Sequence, residues 1–279
     1  MPQVLITGGS GYLGRELVRL CLAAGWDVTA TYASHPPQIS GARLLPLDLR
    51  QPGAALALVR AARPQIVIHT AYVQGGPDLS AITAQGPGDV AAAAHSVGAR
   101  LIHLSSDALF DGESQRPYTE DDPPSPITPY GQAKADAERA VALAHPAALI
   151  VRTSLIYGGP TPSPHEQMAL DAVESPERFT FFTDELRNPV LVADLAAALV
   201  ELAPTSRSGI LHVAGAHTIS RYEFACRIAR AAGRPADALR AGSSAASGLR
   251  RPRHVAMDSS RAQAILRTQL RGVRDVLPA

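Results

Sequence analysis

The sequence predicts an α/β fold: a Rossmann-type, doubly wound parallel sheet with a small C-terminal substrate-binding lobe. Three observations point there. Short apolar runs alternate with stretches of helical apolar spacing over the first two-thirds of the 279 residues, the signature of βαβ units with helices on both faces of a parallel sheet. The first apolar run passes straight into a glycine-rich turn, Thr7-Gly8-Gly9-Ser10-Gly11-Tyr12-Leu13-Gly14. The last quarter loses the alternation and reads as helical. Residues 1–155 are therefore expected to form a dinucleotide-binding domain to which 187–215 return. Residues 156–186 and 216–279 are expected to form the lobe.

The elements follow in order. Gln3–Thr7 is a short apolar strand, and Tyr12–Ala24 a helix with Leu13, Leu17, Leu20 and Cys21 on one face and Gly25 as its stop. Asp27–Tyr32 and Arg43–Leu47 read as strands, Ala54–Ala62 as a helix and Gln65–Ala71 as a buried strand. Asp78–Val97 is mostly helical, with Gly86-Pro87-Gly88 expected to break or kink it. Arg100–Ser106 is a strand, Tyr130–Ala144 a helix and Ala147–Ser154 a strand. Asp111–Pro129 holds five prolines, too many for a helix or central strand, and is expected to be a long functional loop. Gly158–Pro176 is proline-rich at its start. Asn188–Ala203 reads as a strand end and helix, Gly209–Val213 as a strand, and the remainder as helical with a Gly/Ser-rich break at Ala241–Gly248.

Composition excludes several function classes. With 46% apolar and 18% charged residues the chain has globular rather than disordered composition. No uninterrupted apolar run reaches 18 residues, so no membrane span is expected. Met1–Ile6 has no basic residue ahead of its apolar run, which makes a poor signal peptide. The two cysteines, Cys21 and Cys226, stand outside any Cys/His cluster. That disfavours a disulfide framework or thiolate zinc site and fits a reducing cytoplasm. Nine histidines form no HxxxH or HExxH, so no metal is expected. Ser105-Ser106 lacks the GxSxG elbow of a hydrolase. A net charge of +1 gives no global reason to bind nucleic acid or acidic lipid.

Charge is nevertheless uneven. Residues 221–279 carry 12 basic and 4 acidic side chains, and residues 1–220 carry 14 and 21. Solvated helix faces account for this; the alternative is a lobe that attracts an anionic substrate. Of the 26 basic residues, 25 are arginine and one is Lys134. A lone lysine in so arginine-rich a chain marks a position where a compact ammonium, not a planar fork, is needed.

The glycine turn has the spacing TGxxGxxG. Gly8 permits the tight strand-to-helix turn, Gly11 lets the backbone approach a pyrophosphate, and Gly14 allows close packing. The helix start then offers free N–H groups to the phosphates, placing Thr7, Gly8, Gly11, Tyr12, Leu13 and Gly14 on the cofactor. Dinucleotide sites for NAD often end the second strand with Asp or Glu; here the stretch is Thr29-Ala30-Thr31-Tyr32-Ala33-Ser34-His35. Without an acid there, a 2′-phosphate meets no repulsion, and Ser34 and His35 are its candidate donors. The cofactor reading is NADPH, with NADH left open. Asp48 is read either as a partner for the adenine amino group or as a turn residue before Gln51-Pro52. Leu49, Thr70 and Ala71, at the ends of the third and fourth strands, are placed on the cofactor too.

Tyr130 and Lys134 are four apart on one helix and share a face. Ser106 ends a buried strand at the carboxyl edge of the sheet, where open α/β sheets bind ligands. This set suits hydride transfer to a ketone. The phenol protonates the carbonyl oxygen, the ammonium is expected to lower the phenol pKa from its ordinary value near 10 and to bind the nicotinamide ribose, and the serine hydroxyl fixes the oxygen. Each residue alone has an ordinary structural reading; with the glycine turn, the combination is specific.

On these residues the chain resembles the extended short-chain dehydrogenase/reductase family, and most of all the dTDP-4-dehydrorhamnose reductases. The resemblance spans nearly the whole length. It is carried by Leu104-Ser105-Ser106-Asp107-Ala108-Leu109-Phe110-Asp111-Gly112, Pro117–Asp122, Ser125-Pro126, Tyr130-Gly131, Lys134, Val151–Ser154, Asp194–Ala196 and Tyr222–Ala225. It implies a nicotinamide-dependent reductase of a 4-keto sugar nucleotide, with Ser106, Tyr130 and Lys134 as the catalytic set. It also implies Asp107, Ala108, Leu155 and Arg187 on the substrate side. Arg187 is read as a clamp for a diphosphate or as a partner for Asp184 or Glu185.

The chain departs from the pattern where the resemblance puts the substrate. Ala108 replaces a usual tyrosine, Leu155 a frequent tryptophan, and His69 and Thr83 stand where asparagine is common. Tyr72–Pro77 also differs. Three other readings follow. One is a reductase of a non-nucleotide ketone. Another is a regulatory subunit like the methionine adenosyltransferase beta subunit, which resembles the same reductases. The last is an epimerase using transient oxidation. A homodimer is compatible with the reading.

Overall fold

A computed structural model describes all 279 residues. Seven strands form one parallel sheet: β1 (Gln3–Thr7), β2 (Asp27–Tyr32), β3 (Arg43–Pro46), β4 (Ile66–His69), β5 (Arg100–Ser106), β6 (Leu149–Thr153) and β7 (Gly209–His212). Their spatial order is β7-β6-β5-β4-β1-β2-β3. The order reverses between β1 and β4, whose register pairs Thr7 with His69. Open α/β sheets carry their ligand crevice at such a reversal, and here it lies beside the glycine turn.

Alternation of side chains along each strand divides the core. Val4, Ile6, Ile66, Ile68, Leu104 and Val151 pack under α1 (Tyr12–Ala23) and α6 (Val192–Leu202). Leu5, Val67, Leu101 and Ile150 face the other way, under α2 (Ala54–Ala62), α3 (Gly86–Ser96) and α4 (Pro129–Ala144). Near its carboxyl edge this second face turns polar, with Thr7, His69, His103, Ser105, Arg152 and His212 all buried. Arg152 is fully buried and forks onto Glu138 of α4, 2.8 Å through Nη2 and 3.0 Å through Nε.

Helix α4 starts cleanly. The Thr128 hydroxyl accepts from the Gly131 N–H at 3.0 Å and Pro129 occupies the first turn, where its missing N–H costs nothing. A Cβ on Gly131 would sit 2.1 Å from the Ala108 carbonyl oxygen, so only glycine lets α4 settle against the turn after β5.

The lobe is built on α5 (Pro164–Glu174) and α7 (Arg221–Ala231), which share a core of Tyr157, Phe181, Phe224, Ile228 and Leu239. Two small ladders support it: Phe181–Phe182 with Ala241–Gly242, and Leu186–Arg187 antiparallel to Ile219–Ser220. Helices α8 (Ser260–Ile265) and α9 (Val273–Val276) complete the chain.

Three expectations change. Gly86-Pro87-Gly88 does not break its helix. A π-helical turn over Ser80–Gln85 runs directly into α3, with the proline in the first turn of α3, and the change of helix type falls at this proline. Gly158–Pro176, read only as proline-rich, contains α5, which Ser163 and Glu166 close with a reciprocal capping box. The tail is less helical than expected. Residues 253–258 run extended, because their backbone is satisfied from outside: His254 N–H donates to Gly112, Val255 N–H to Leu186, and Asp258 N–H to Tyr118. That strip stitches the lobe to the loop after β5.

The charge asymmetry resolves in the same region. Tail arginines pair with carboxylates of the preceding segments: Arg253 with Glu113, Arg261 with Glu120 and Asp121, Arg267 with Glu201, and Arg271 with Asp194. These side chains tie one part of the molecule to another.

Arg152→Ala strands Glu138 as an unpaired buried charge, and urea titration should show a loss of about 3–5 kcal/mol. Arg139→Ala removes only the surface partner of Asp136 and should cost less than about 1 kcal/mol.

Candidate active site

The glycine turn forms as its spacing requires. Gly8 adopts φ +74°, a left-handed conformation natural to glycine. A Cβ on Gly14 would lie 2.1 Å from the Gly8 carbonyl oxygen, so the helix can pack onto the turn only without a side chain there. Gly11 caps α1 with no side-chain hydrogen bond, and no acidic residue stands in the first turn. The opening N–H groups are thus free of any carboxylate competitor, as an incoming phosphate requires.

Around this turn, the Thr70 hydroxyl donates to the Thr7 carbonyl at 2.8 Å. Ala71 backs Gly8 so closely that a Cβ there would meet its nitrogen at 2.8 Å. Ser34 and His35 are exposed just beyond β2, and Leu13 is buried in α1. The Tyr12 phenol donates to Glu166 at 3.1 Å and accepts from the Gly159 N–H at 2.6 Å, linking α1 to the lobe. Asp48 accepts from the Arg50 backbone at 3.0 Å and from its guanidinium at 2.9 Å, the geometry of a turn residue. Leu49 is half-buried beside Gly86. These residues fit a dinucleotide.

Ser106, Tyr130 and Lys134 come together at the carboxyl end of β5. The Ser106 hydroxyl accepts from the Ala108 N–H at 3.2 Å and donates to Asp107 at 3.3 Å. Lys134 is buried and donates to the Leu104 carbonyl at 3.0 Å. Burial brings its pKa down to about 8, with Glu138 one turn on opposing that shift. Burial also holds the Tyr130 phenol above its ordinary range; Tyr72 and Asp107 add to this and the Ser106 hydroxyl opposes it. The expected depression of the phenol by Lys134 is therefore not what the chain alone displays. The phenol keeps its proton, the form an acid needs. Tyr72, which no motif marks, stands over the pair, its ring centroid 5.1 Å from the Lys134 ammonium and 6.0 Å from the Tyr130 ring.

On the lobe side, Asp107 is buried and accepts from Ser154 at 2.7 Å. Burial raises its pKa, while Arg187, Ser154, Ser106 and Arg221 work against the rise. Arg187 reaches Asp107, its Nε 3.8 Å away, rather than Asp184 or Glu185. Its other nitrogens donate to the carbonyls of Leu186, Pro252 and Arg253 at 2.7–3.0 Å. Asp184 instead accepts from Ser243 and Ser244, and Glu185 pairs with Arg251. Leu155 packs on the lobe core. A separate cavity of about 490 Å³ lies between α4 and the β6–β7 edge, lined by Glu138, Arg139, Ala142, Ile150 and Ile210. It contains none of the catalytic candidates.

The lowered pKa of Lys134 fixes the sign of two pH effects. The ammonium is charged below about pH 8, so kcat/KM for carbonyl reduction should fall as pH rises through that value. A lysine whose folded pKa lies below its unfolded value of 10.5 destabilises the fold at neutral pH, and the penalty fades between pH 8 and 10.5. Lys134→Met should therefore lose turnover yet unfold at higher temperature at pH 7, by on the order of 3 kcal/mol of added stability.

Comparison with known proteins agrees with the fold. Residues 2–279 match the family model described as RmlD substrate binding domain. The dTDP-4-dehydrorhamnose reductase of Streptomyces griseus is 36% identical over 225 residues, covering 76% of this chain and 70% of that protein. Methionine adenosyltransferase 2 subunit beta of Rattus norvegicus is 30% identical over 282 residues, covering 94% and 82%. The crystal structure of dTDP-4-dehydrorhamnose reductase from Bacillus anthracis str. Ames in complex with NADP superposes with a TM-score of 0.80 at 26% identity, covering 98% and 96%. The chain belongs to the RmlD substrate-binding-domain family.

Proposed function

We propose that the chain is an NADPH-dependent reductase of a 4-keto-deoxysugar nucleotide. The observation that carries this reading is the convergence of Ser106, Tyr130 and Lys134 at the carboxyl edge of β5, next to an open glycine turn at the reversal of strand order. Asp107, Ala108, Leu155 and Arg187 line the substrate side. Relatives named as dTDP-4-dehydrorhamnose reductases support the substrate class. NADP in the Bacillus anthracis structure supports the cofactor, as do Ser34 and His35 in place of an acid after β2.

When bound, a reduced nicotinamide supplies the hydride to the ketone carbon. Ser106 holds the ketone oxygen by its hydroxyl. Tyr130 delivers its phenolic proton to that oxygen as negative charge builds there, completing the alcohol. Lys134, held by the Leu104 carbonyl, presents its positive charge to the phenolate left behind. Without substrate the Ser106 hydrogen goes to Asp107, which Arg187 keeps in place; the Ala108 N–H holds the hydroxyl oxygen when that hydrogen turns to the ketone. No helix is long and apolar enough to cross a membrane. Both cysteines are buried and free, which fits the proposed cytoplasmic setting, and the reading is compatible with a homodimer.

A second reading rests on the methionine adenosyltransferase 2 subunit beta, which this chain matches over 94% of its length: the fold then serves as a subunit of another enzyme. Oxidation of NADPH on adding dTDP-4-dehydro-L-rhamnose separates the two. Wild type should turn over, and Tyr130→Phe should lower kcat by at least about 100-fold while binding NADPH normally. Full activity in the variant removes Tyr130 as the acid. A wild type that binds NADPH, reduces no ketone and co-purifies with a stable partner supports the subunit reading.

A further inference from the structure

We infer that Arg221 is the residue that grips the anionic part of the substrate, the diphosphate bridge of a nucleoside-diphosphate sugar. This inference rests on the reading above and assigns a contact within it.

The tail matches most of its arginines with a partner. Of the 12 between residues 221 and 279, eight pair with a carboxylate: Arg227, Arg234, Arg251, Arg253, Arg261, Arg267, Arg271 and Arg274. Arg240 donates to the Glu177 carbonyl. Arg230 and Arg250 are exposed, where water satisfies a guanidinium. Only Arg221 is partly buried with neither an ion pair nor a side-chain hydrogen bond.

Its place is set by the backbone. Arg221 opens α7, its N–H donates to the Glu185 carbonyl at 2.8 Å, and the preceding Ser220 pairs with Leu186. The side chain lies within electrostatic reach of Asp107, Glu185, Arg187 and Arg251. Both carboxylates in that group are already matched, Asp107 by Arg187 and Glu185 by Arg251. One positive charge is left over, beside the residue that follows Ser106. Burial and the neighbouring arginines bring Arg221 down to about 10, so it stays charged at neutral pH.

A second group beside it also lacks a partner. His165, in the first turn of α5, has a buried Nδ1 with no hydrogen bond. Burial, then Arg221, then Arg187, bring it down to about 4, which leaves the imidazole neutral at pH 7. An unpaired planar fork and an imidazole with a buried, unpaired Nδ1 thus stand within electrostatic reach of each other. A guanidinium binds phosphate oxygens in two parallel charge-assisted hydrogen bonds. The keto sugar and the nucleoside base are uncharged, so the diphosphate is the anion the substrate brings. Arg187 is less free to serve, since Asp107 and three carbonyls already hold it.

The test titrates deoxythymidine diphosphate calorimetrically into NADP⁺-saturated wild type, Arg221→Gln and Arg250→Gln, with thermal melting of each. Wild type and Arg250→Gln should bind alike, and Arg221→Gln about ten- to hundredfold more weakly. Its melting temperature should hold or rise, because no carboxylate loses a partner; a purely structural arginine would lower it. In turnover, Arg221→Gln should raise KM for the sugar nucleotide and leave kcat and the reduction of a ketone without a diphosphate unchanged. Equal affinity of wild type and Arg221→Gln for the diphosphate overturns the inference and leaves the reductase reading standing. A wild type that binds no nucleoside diphosphate and reduces no sugar nucleotide overturns the reading beneath it.

Discussion

The ion pair between Glu138 and Arg152, sealed between α4 and the sheet, governs where the chemistry can happen. Tyr130, Lys134 and Glu138 follow one another at four-residue intervals on one helix face. Whatever fixes Glu138 therefore fixes the phenol and the ammonium above it. The rest of that face is largely small: Gly131, Ala135 and Val141 let the helix approach, but small side chains specify depth and rotation weakly. A forked guanidinium gripping a carboxylate in a dry interface specifies both. Replacing such a pair by well-packed apolar groups often costs a fold nothing, so its worth here lies in position. It sets the reach of the buried Lys134 ammonium to the Leu104 carbonyl.

The same logic extends to the lobe. Arg187 is held by Asp107 on one side and by the carbonyls of Pro252 and Arg253 on the other. It joins the strand-end motif to the extended tail strip. Further arginines bind that tail to the helices and loops of the main body. Charge that looks like a lopsided surface when summed along the sequence is thus largely internal cross-bracing between segments. Of what remains unspent after those pairings, only Arg221 is partly buried, within electrostatic reach of Asp107.

The sequence made legible what is local in sequence. The glycine turn is eight consecutive residues, Tyr130 and Lys134 are one helical turn apart, and strand ends announce themselves by where apolar runs stop. The sheet and the candidate set of Ser106, Tyr130 and Lys134 could be read on that basis. Features that depend on distant partners could not. Residues 253–258 are extended because Gly112, Tyr118 and Leu186 offer them hydrogen bonds, and no local propensity reports that. The π-helical turn before Gly86 absorbs a proline that by itself reads as a break. Helix α5 did carry a signal, the Ser163-Pro164-His165-Glu166 cap, obscured by the prolines around it. Arg221 is one arginine among 25, and its distinction lies in what its neighbours have already bound. The Lys134 effect on Tyr130 was the chemical expectation least readable from spacing, because burial acts on both groups more strongly than either acts on the other.

The late position of the tail strip gives the molecule a history as well as a shape. Strands β1 to β6, the glycine turn and the Ser–Tyr–Lys set are complete once about the first 155 residues have left the ribosome. Glu120, Glu185 and Asp194 then wait for Arg261, Arg251 and Arg271, encoded near the end. A nascent chain therefore emits the glycine turn and the Ser–Tyr–Lys set first, adds α6 and β7 to the same sheet later, and receives the arginines that pair those acids last.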